Sequence, residues 1–284
     1  MPHLPRPRPS PQRNLPISEF KQGDCRLHYE IHGRGQPVLL VHGLGSSTRD
    51  WEYQLPVLKQ HFQVISLDLR GHGRSDKPRE RYSIAGFAED VGALIRHLEL
   101  PPVHLVGISM GGMVGFQLAV DQPQLLRSLT VVNSGPEVKA HSLRDWLEIA
   151  KRWSLSRLLS MEQIANGLGR LLFPKAEQQA LREKIQQRWP ENDKRAYLSA
   201  LDAIIGWSVR EHLGRISCPC LVVSADRDYT SVASKQAYVQ ELPHGRLVVI
   251  EDSRHATPMD QPEAFNQCLL AFLHELDSPT TKKD

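Results

Sequence analysis

From Gly23 onward the chain alternates short apolar runs with longer amphipathic stretches. Val38-Leu39-Leu40-Val41 is apolar throughout, and Val64–Leu67, Val103–Val106, Leu129–Val132, Leu221–Val223 and Leu247–Ile250 repeat the pattern with at most one polar residue each. Such runs mark strands buried on both faces, because a strand with one wet face would alternate. Arg26–Ile31 does alternate, which predicts a half-exposed edge strand leading into a Gly33-Arg34-Gly35 turn. Amphipathic spacing predicts helices over Ile84–Leu98, Gly111–Val120 and Glu263–Leu276. Buried strands alternating with helices define the α/β class: a mostly parallel central sheet flanked by helices on both faces.

One segment interrupts this rhythm. Between Glu137 and Leu213 no strand-like run occurs, and the composition is rich in Leu, Arg, Glu, Gln and Ala. It is expected to form a helical cap over the C-terminal edge of the sheet. Residues 23–136 and 214–276 are then the α/β core and residues 137–213 the cap, within a chain of 284 residues. The cap holds four of the five tryptophans, Trp146, Trp153, Trp189 and Trp207, as packing residues or as the lining of an apolar substrate cavity. Residues 1–22 are expected to be a disordered tail, since proline at this density forms neither helix nor central strand, and 277–284 to be a C-terminal tail.

Charge changes little. The formal net charge is +3, and Arg6, Arg8 and Arg13 supply that much before the first acidic residue. No basic stripe with interleaved aromatics is present, so no nucleic-acid partner is expected. No apolar run approaches the roughly 18 residues of a membrane span, and the N-terminal stretch lacks the apolar core of a secretory signal. Cys25, Cys218, Cys220 and Cys268 have no metal-ligand spacing and are expected to be reduced thiols of a cytoplasmic protein, with no metal and no cofactor. The partner implied is a small-molecule substrate. The cap's 13 basic and 10 acidic residues are compatible with an anionic substrate and equally with solvated charge.

The chemistry gathers at strand ends. Gly107-Ile108-Ser109-Met110-Gly111 follows one buried run and opens a helix, the context in which G-x-S-x-G exposes a nucleophile at the top of a sheet. His42-Gly43-Leu44-Gly45 follows the first fully buried run, where backbone N–H groups of Leu44 and Met110 can serve as an oxyanion hole. His42 itself is expected to hold the loop. A nucleophilic serine needs a base and the base an orienting acid. Of 13 histidines, His255 stands on the loop after the last strand, from which it can reach the serine. The acid is expected after the preceding strand, where Asp226 and Asp228 compete.

From Gly23 to Leu276 the chain resembles the α/β-hydrolase superfamily, whose order of nucleophile, acid and histidine is met by Ser109, Asp228 and His255. Ala225-Asp226-Arg227-Asp228 is similar to the family's Gly-x-x-Asp loop, which favours Asp228 as the acid. His42-Gly43 resembles its oxyanion loop, and Asp68-Leu69-Arg70-Gly71-His72-Gly73-Arg74-Ser75 a structural loop. Arg254 departs from the glycine usual before the histidine. Epoxide hydrolases and haloalkane dehalogenases are similar around Asp68–Ser75 but use an aspartate nucleophile where this chain has Ser109. The resemblance implies a serine hydrolase of esters or lactones, with C–C bond hydrolysis, cofactor-free lyase or oxygenase chemistry, and a slow-turnover ligand receptor or signalling module as alternatives.

Overall fold

A computed structural model describes residues 18–277. Most of the two expected tails, residues 1–17 and 278–284, lies outside the described residues. Within residues 18–277 one eight-stranded sheet forms from β1 (Ser18–Gln22), β2 (Cys25–Gly33), β3 (Pro37–Val41), β4 (Gln63–Leu67), β5 (Val103–Ile108), β6 (Leu126–Val132), β7 (Cys220–Ala225) and β8 (Gly245–Ile250), in the order β1-β2-β4-β3-β5-β6-β7-β8. The pairs β1–β2 and β2–β4 are antiparallel; the other ladders are parallel. This is the α/β-hydrolase fold.

Two expectations are corrected here. Ser18–Gln22, assigned to the N-terminal tail, forms β1. The Arg26–Ile31 strand is therefore not an edge: β1 covers it, with Phe20 opposite Leu27. Alternation in β2 reflects one face on the core and one near solvent, and alternation alone does not say whether a further strand pairs alongside.

The continuous apolar runs feed two cores, one on each face. In β3, Leu39 and Val41 join the core under α2 (Ile84–His97) and α3 (Met110–Asp121), while Val38 and Leu40 join that under α10 (Pro262–Asp277). Phe265, Leu269 and Phe272 of α10 pack there with Val106, Val132 and Val223. Burying each such side chain contributes on the order of 1.5–3 kcal/mol, so the alternating orientation of a central strand stabilises both layers at once.

Between β6 and β7 lie α4 (Leu143–Leu158), α5 (Met161–Leu172), α6 (Gln179–Arg188) and α7 (Lys194–Ile204). The segment leaves and returns through a stitched stem: Val138 N–H donates to Trp207 O at 2.8 Å and Gly206 N–H to Val138 O at 2.9 Å. Ser142 and Ser160 start α4 and α5 with reciprocal capping boxes. Polar contacts hold the segment to the sheet's C-terminal edge. Asn192 Nδ2 donates to Gly45 O at 2.8 Å, Arg188 pairs with Glu52 at 3.0 Å, and Arg195 donates to the Lys77 and Pro78 carbonyls. The loop Asp68–Ser75 braces the same edge: Asp68 accepts from Thr48 N–H at 2.7 Å and Arg74 N–H at 2.9 Å.

Arg70 grips Asp90 with two bonds of 2.6 Å, and the Asp90 side chain is completely buried. Replacing Arg70 by Met strands that carboxylate without its cation. The expected loss is about 3–5 kcal/mol of unfolding free energy in urea titrations; a loss below about 1 kcal/mol contradicts this role for the pair.

Candidate active site

Ser109 sits between β5 and α3 with φ of +53°, a left-handed backbone that is uncommon outside glycine. The turn is possible because its flanks are bare. A Cβ on Gly107 would lie 2.2 Å from Gly111 O, and one on Gly111 would lie 2.1 Å from Val41 O. Larger residues at either position would push α3 off β3 and open the turn. Met110, the first residue of α3, has an N–H with no intrahelical acceptor, at the positive end of the helix.

The loop after β3 meets this turn. A Cβ on Gly43 would stand 3.4 Å from Ser109 Cβ, so the loop runs against the serine one residue before Leu44. His42 is fully buried and fixes the loop, its Nδ1 donating to Gly43 O at 2.7 Å and its Nε2 accepting from Leu69 N–H at 3.1 Å. Burial lowers its pKa, which keeps it neutral in that role. Gly45, at φ +72°, lies under the Trp189 and Tyr197 rings, so the segment between β6 and β7 presses on the loop.

Of the two competing aspartates, Asp228 meets the imidazole: His255 Nδ1 lies 2.7 Å from Asp228 Oδ1. Asp226 instead accepts from Ser253 N–H at 3.0 Å and steadies the histidine loop. The Asp228 side chain is fully buried and fully hydrogen-bonded, with Tyr229 N–H at 2.9 Å on Oδ1, and Lys235 Nζ at 2.7 Å and the Thr230 hydroxyl on Oδ2. Burial alone would raise its pKa; the bond and charge of His255 and the ammonium of Lys235 bring it down to about 2. An ionised Asp228 requires the proton on His255 Nδ1, which leaves Nε2 an acceptor.

Sequence reasoning missed four residues around this centre. Lys235, buried on α8 (Val232–Val239), is the cation behind Asp228. Asn133, at φ +46° after β6, donates from Nδ2 to His255 O at 2.9 Å and Thr257 Oγ1 at 2.7 Å and accepts Ala225 N–H at 2.7 Å, tying the acid strand to the histidine loop. Tyr229 stacks on the imidazole, with ring centroids 4.0 Å apart, and its hydroxyl bonds His255 Nε2. Arg152 of α4 lies over the Tyr229 ring at 5.9 Å. A left-handed Asn at a strand end was a readable signal; the other three act through tertiary approach.

The structure thus brings Asp228 and His255 together directly, with the Tyr229 hydroxyl on the other imidazole nitrogen. The four cysteines are free thiols, and no helix of the described residues is long and apolar enough to cross a membrane.

The chain belongs to the alpha/beta hydrolase family, whose model matches residues 38–267. It is 30% identical over 261 residues to a protein of Azorhizobium caulinodans named as the carbamate hydrolase RutD, covering 90% of this chain and 97% of that one. It is also 30% identical over 273 residues to 3-oxoadipate enol-lactonase 2 of Acinetobacter baylyi, covering 91% and 98%. The enol-lactonase of Burkholderia xenovorans superposes with a TM-score of 0.82 at 25% identity, covering 90% of this chain and 99% of that one. These relatives are hydrolases, and the chain is an enzyme of their kind.

Desolvation holds the His255 pKa below its ordinary 6.5 against the pull of Asp228, and the charges of Arg152 and Lys235 add to the depression. A neutral imidazole is the active form of a base, so kcat/KM should rise with pH through a midpoint below 6.5. Lys235→Met removes one positive charge near the imidazolium, so that midpoint should move to higher pH with KM little changed. A pH profile with the limb unmoved contradicts the assignment of Lys235.

Proposed function

We propose that the protein is a serine hydrolase that cleaves a small-molecule carboxylic ester or lactone through an acyl-enzyme. The observation that carries the reading is the Asp228–His255 pair, at 2.7 Å on the loops after β7 and β8, at the same end of the parallel strands as Ser109 on its left-handed strand-to-helix turn. Relatives named as enol-lactonases support an ester-like carbonyl as the target.

In this mechanism the Tyr229 hydroxyl leaves His255 Nε2 and the Ser109 hydroxyl takes its place. Ser109 Oγ attacks the carbonyl carbon as its proton passes to Nε2. Asp228 holds the Nδ1–H tautomer and stabilises the imidazolium. The oxyanion accepts the N–H groups of Leu44 and Met110, each contributing on the order of 3 kcal/mol at the transition state. Collapse of the tetrahedral intermediate breaks the bond to the leaving alkoxide, which takes the proton from His255. Water then attacks the acyl-enzyme with His255 as base, releasing the acid and restoring Ser109. In a lactone, alcohol and acid remain in one product.

The segment between β6 and β7 acts in this reading as a cap that shapes the acyl pocket. Its tryptophans are not equivalent: Trp189 is buried against Gly45, whereas Trp146 is exposed.

Ser109→Ala should lower ester kcat by about 10⁴-fold or more with an unchanged thermal midpoint. Retention of a tenth of the activity would refute the mechanism. Asp228→Asn should impair kcat far more than Asp226→Asn, and equal effects would assign the acid wrongly. Trp189→Ala should reorder acyl-chain preference in kcat/KM by about 1–3 kcal/mol, while Trp146→Ala leaves the order intact. An unchanged order in folded Trp189→Ala argues against the cap's role in specificity.

A further inference from the structure

Arg152 is placed unlike its neighbours. On the same inserted segment Arg157 pairs with Asp202 at 2.8 Å, and Arg188 with Glu52 at 3.0 Å. Arg152 lies instead over the Tyr229 ring, and no carboxylate among the described residues forms an ion pair with it. Its guanidinium carbon lies 5.9 Å from the Tyr229 ring centroid. A cation over a ring at that distance is weakly held compared with a charge-assisted pair to a carboxylate. Tyr229 is 51% exposed although its hydroxyl bonds His255 Nε2, so solvent and solutes reach this tyrosine. The result is a full positive charge over the ring of a phenol whose hydroxyl holds the His255 imidazole.

We propose that Arg152 and the Tyr229 hydroxyl form a subsite for a carboxylate carried by the substrate, and that filling it draws Tyr229 off His255 and frees the base. This rests on the serine-hydrolase reading and names its substrate class: esters or lactones whose acyl chain bears a second, anionic carboxylate. With the subsite empty, the Tyr229 hydroxyl donates to Nε2, and Nε2 cannot accept the Ser109 proton. When a carboxylate arrives, it accepts from the guanidinium and from the same hydroxyl, and the Ser109 hydroxyl takes over Nε2. Neutral esters must displace Tyr229 without that compensation.

The experiment compares 4-nitrophenyl hydrogen adipate with 4-nitrophenyl hexanoate, which share chain length and leaving group and differ in the terminal carboxylate. Wild type should favour the adipate by about tenfold to a hundredfold in kcat/KM, as expected for a charge-assisted pair. Arg152→Met should bring the ratio close to one, while Arg157→Met, paired to Asp202 instead, should keep it. Tyr229→Phe should raise hexanoate turnover and narrow the ratio. Independently of turnover, adipate dianion should shift the His255 imidazole NMR resonances of wild type and not those of Arg152→Met. A wild-type ratio near one, with hydrolysis intact and dependent on Ser109, overturns the subsite and leaves the hydrolase reading standing. His255 resonances unmoved by adipate overturn it as well, and hydrolysis that survives Ser109→Ala overturns the underlying reading instead.

Discussion

Everything at the candidate centre depends on one steric constraint: α3 must begin hard against β3, with no side chain in the way. Gly107 and Gly111 satisfy it, leaving no room for a Cβ between the turn, the helix and the Val41 carbonyl. The left-handed backbone of Ser109 follows, at φ +53°. Such a conformation costs on the order of 1–3 kcal/mol and persists only where the surroundings over-determine it. Here β5 is clamped between β3 and β6, and the Ser109 N–H is tied to Val132 O at 2.9 Å. The parallel sheet therefore fixes the serine, and the loops after β3, β7 and β8 converge on it because parallel strands all end on the same side.

The second layer is electrostatic. A buried carboxylate is stable only when every lone pair is matched, and Asp228 has the imidazole, a backbone N–H, a hydroxyl and the Lys235 ammonium. The lysine satisfies the oxygen that the imidazole leaves free. It also disfavours a second positive charge on His255, adding to the desolvation that already lowers the imidazole's pKa. Asn133 then sets the distance between the two loops by binding both. Tyr229 adds a polar contact on Nε2, the imidazole nitrogen that Asp228 leaves free.

What could be read from the sequence follows from what is local. The runs Val38–Val41 and Leu221–Val223 are strands because both faces are buried, and burial on both faces removes every polar position. Ser109, Asp228 and His255 were candidates because each stands just after such a run, and the sheet topology carries strand ends to one edge. β1 was not readable: Ser18-Glu19-Phe20-Lys21-Gln22 has one core residue, and its strand conformation comes from pairing with β2. Arg152, Tyr229 and Lys235 escaped for a related reason. On a helix an arginine or lysine is solvated by default, and only tertiary packing places Arg152 over a ring on a distant loop. The choice between Asp226 and Asp228 was left to resemblance, since both lie in one loop and only its geometry shows which carboxylate faces the imidazole.

Covalent chemistry at Ser109 is open to direct test by mass spectrometry of acid-quenched enzyme during turnover of an activated ester. An acyl-enzyme at Ser109 should show an intact mass raised by the acyl group, a modified peptide with the acyl group on Ser109, and decay of the adduct at the rate of product release. An unmodified Ser109 throughout steady turnover, or an acyl group that resides on another residue, would contradict it.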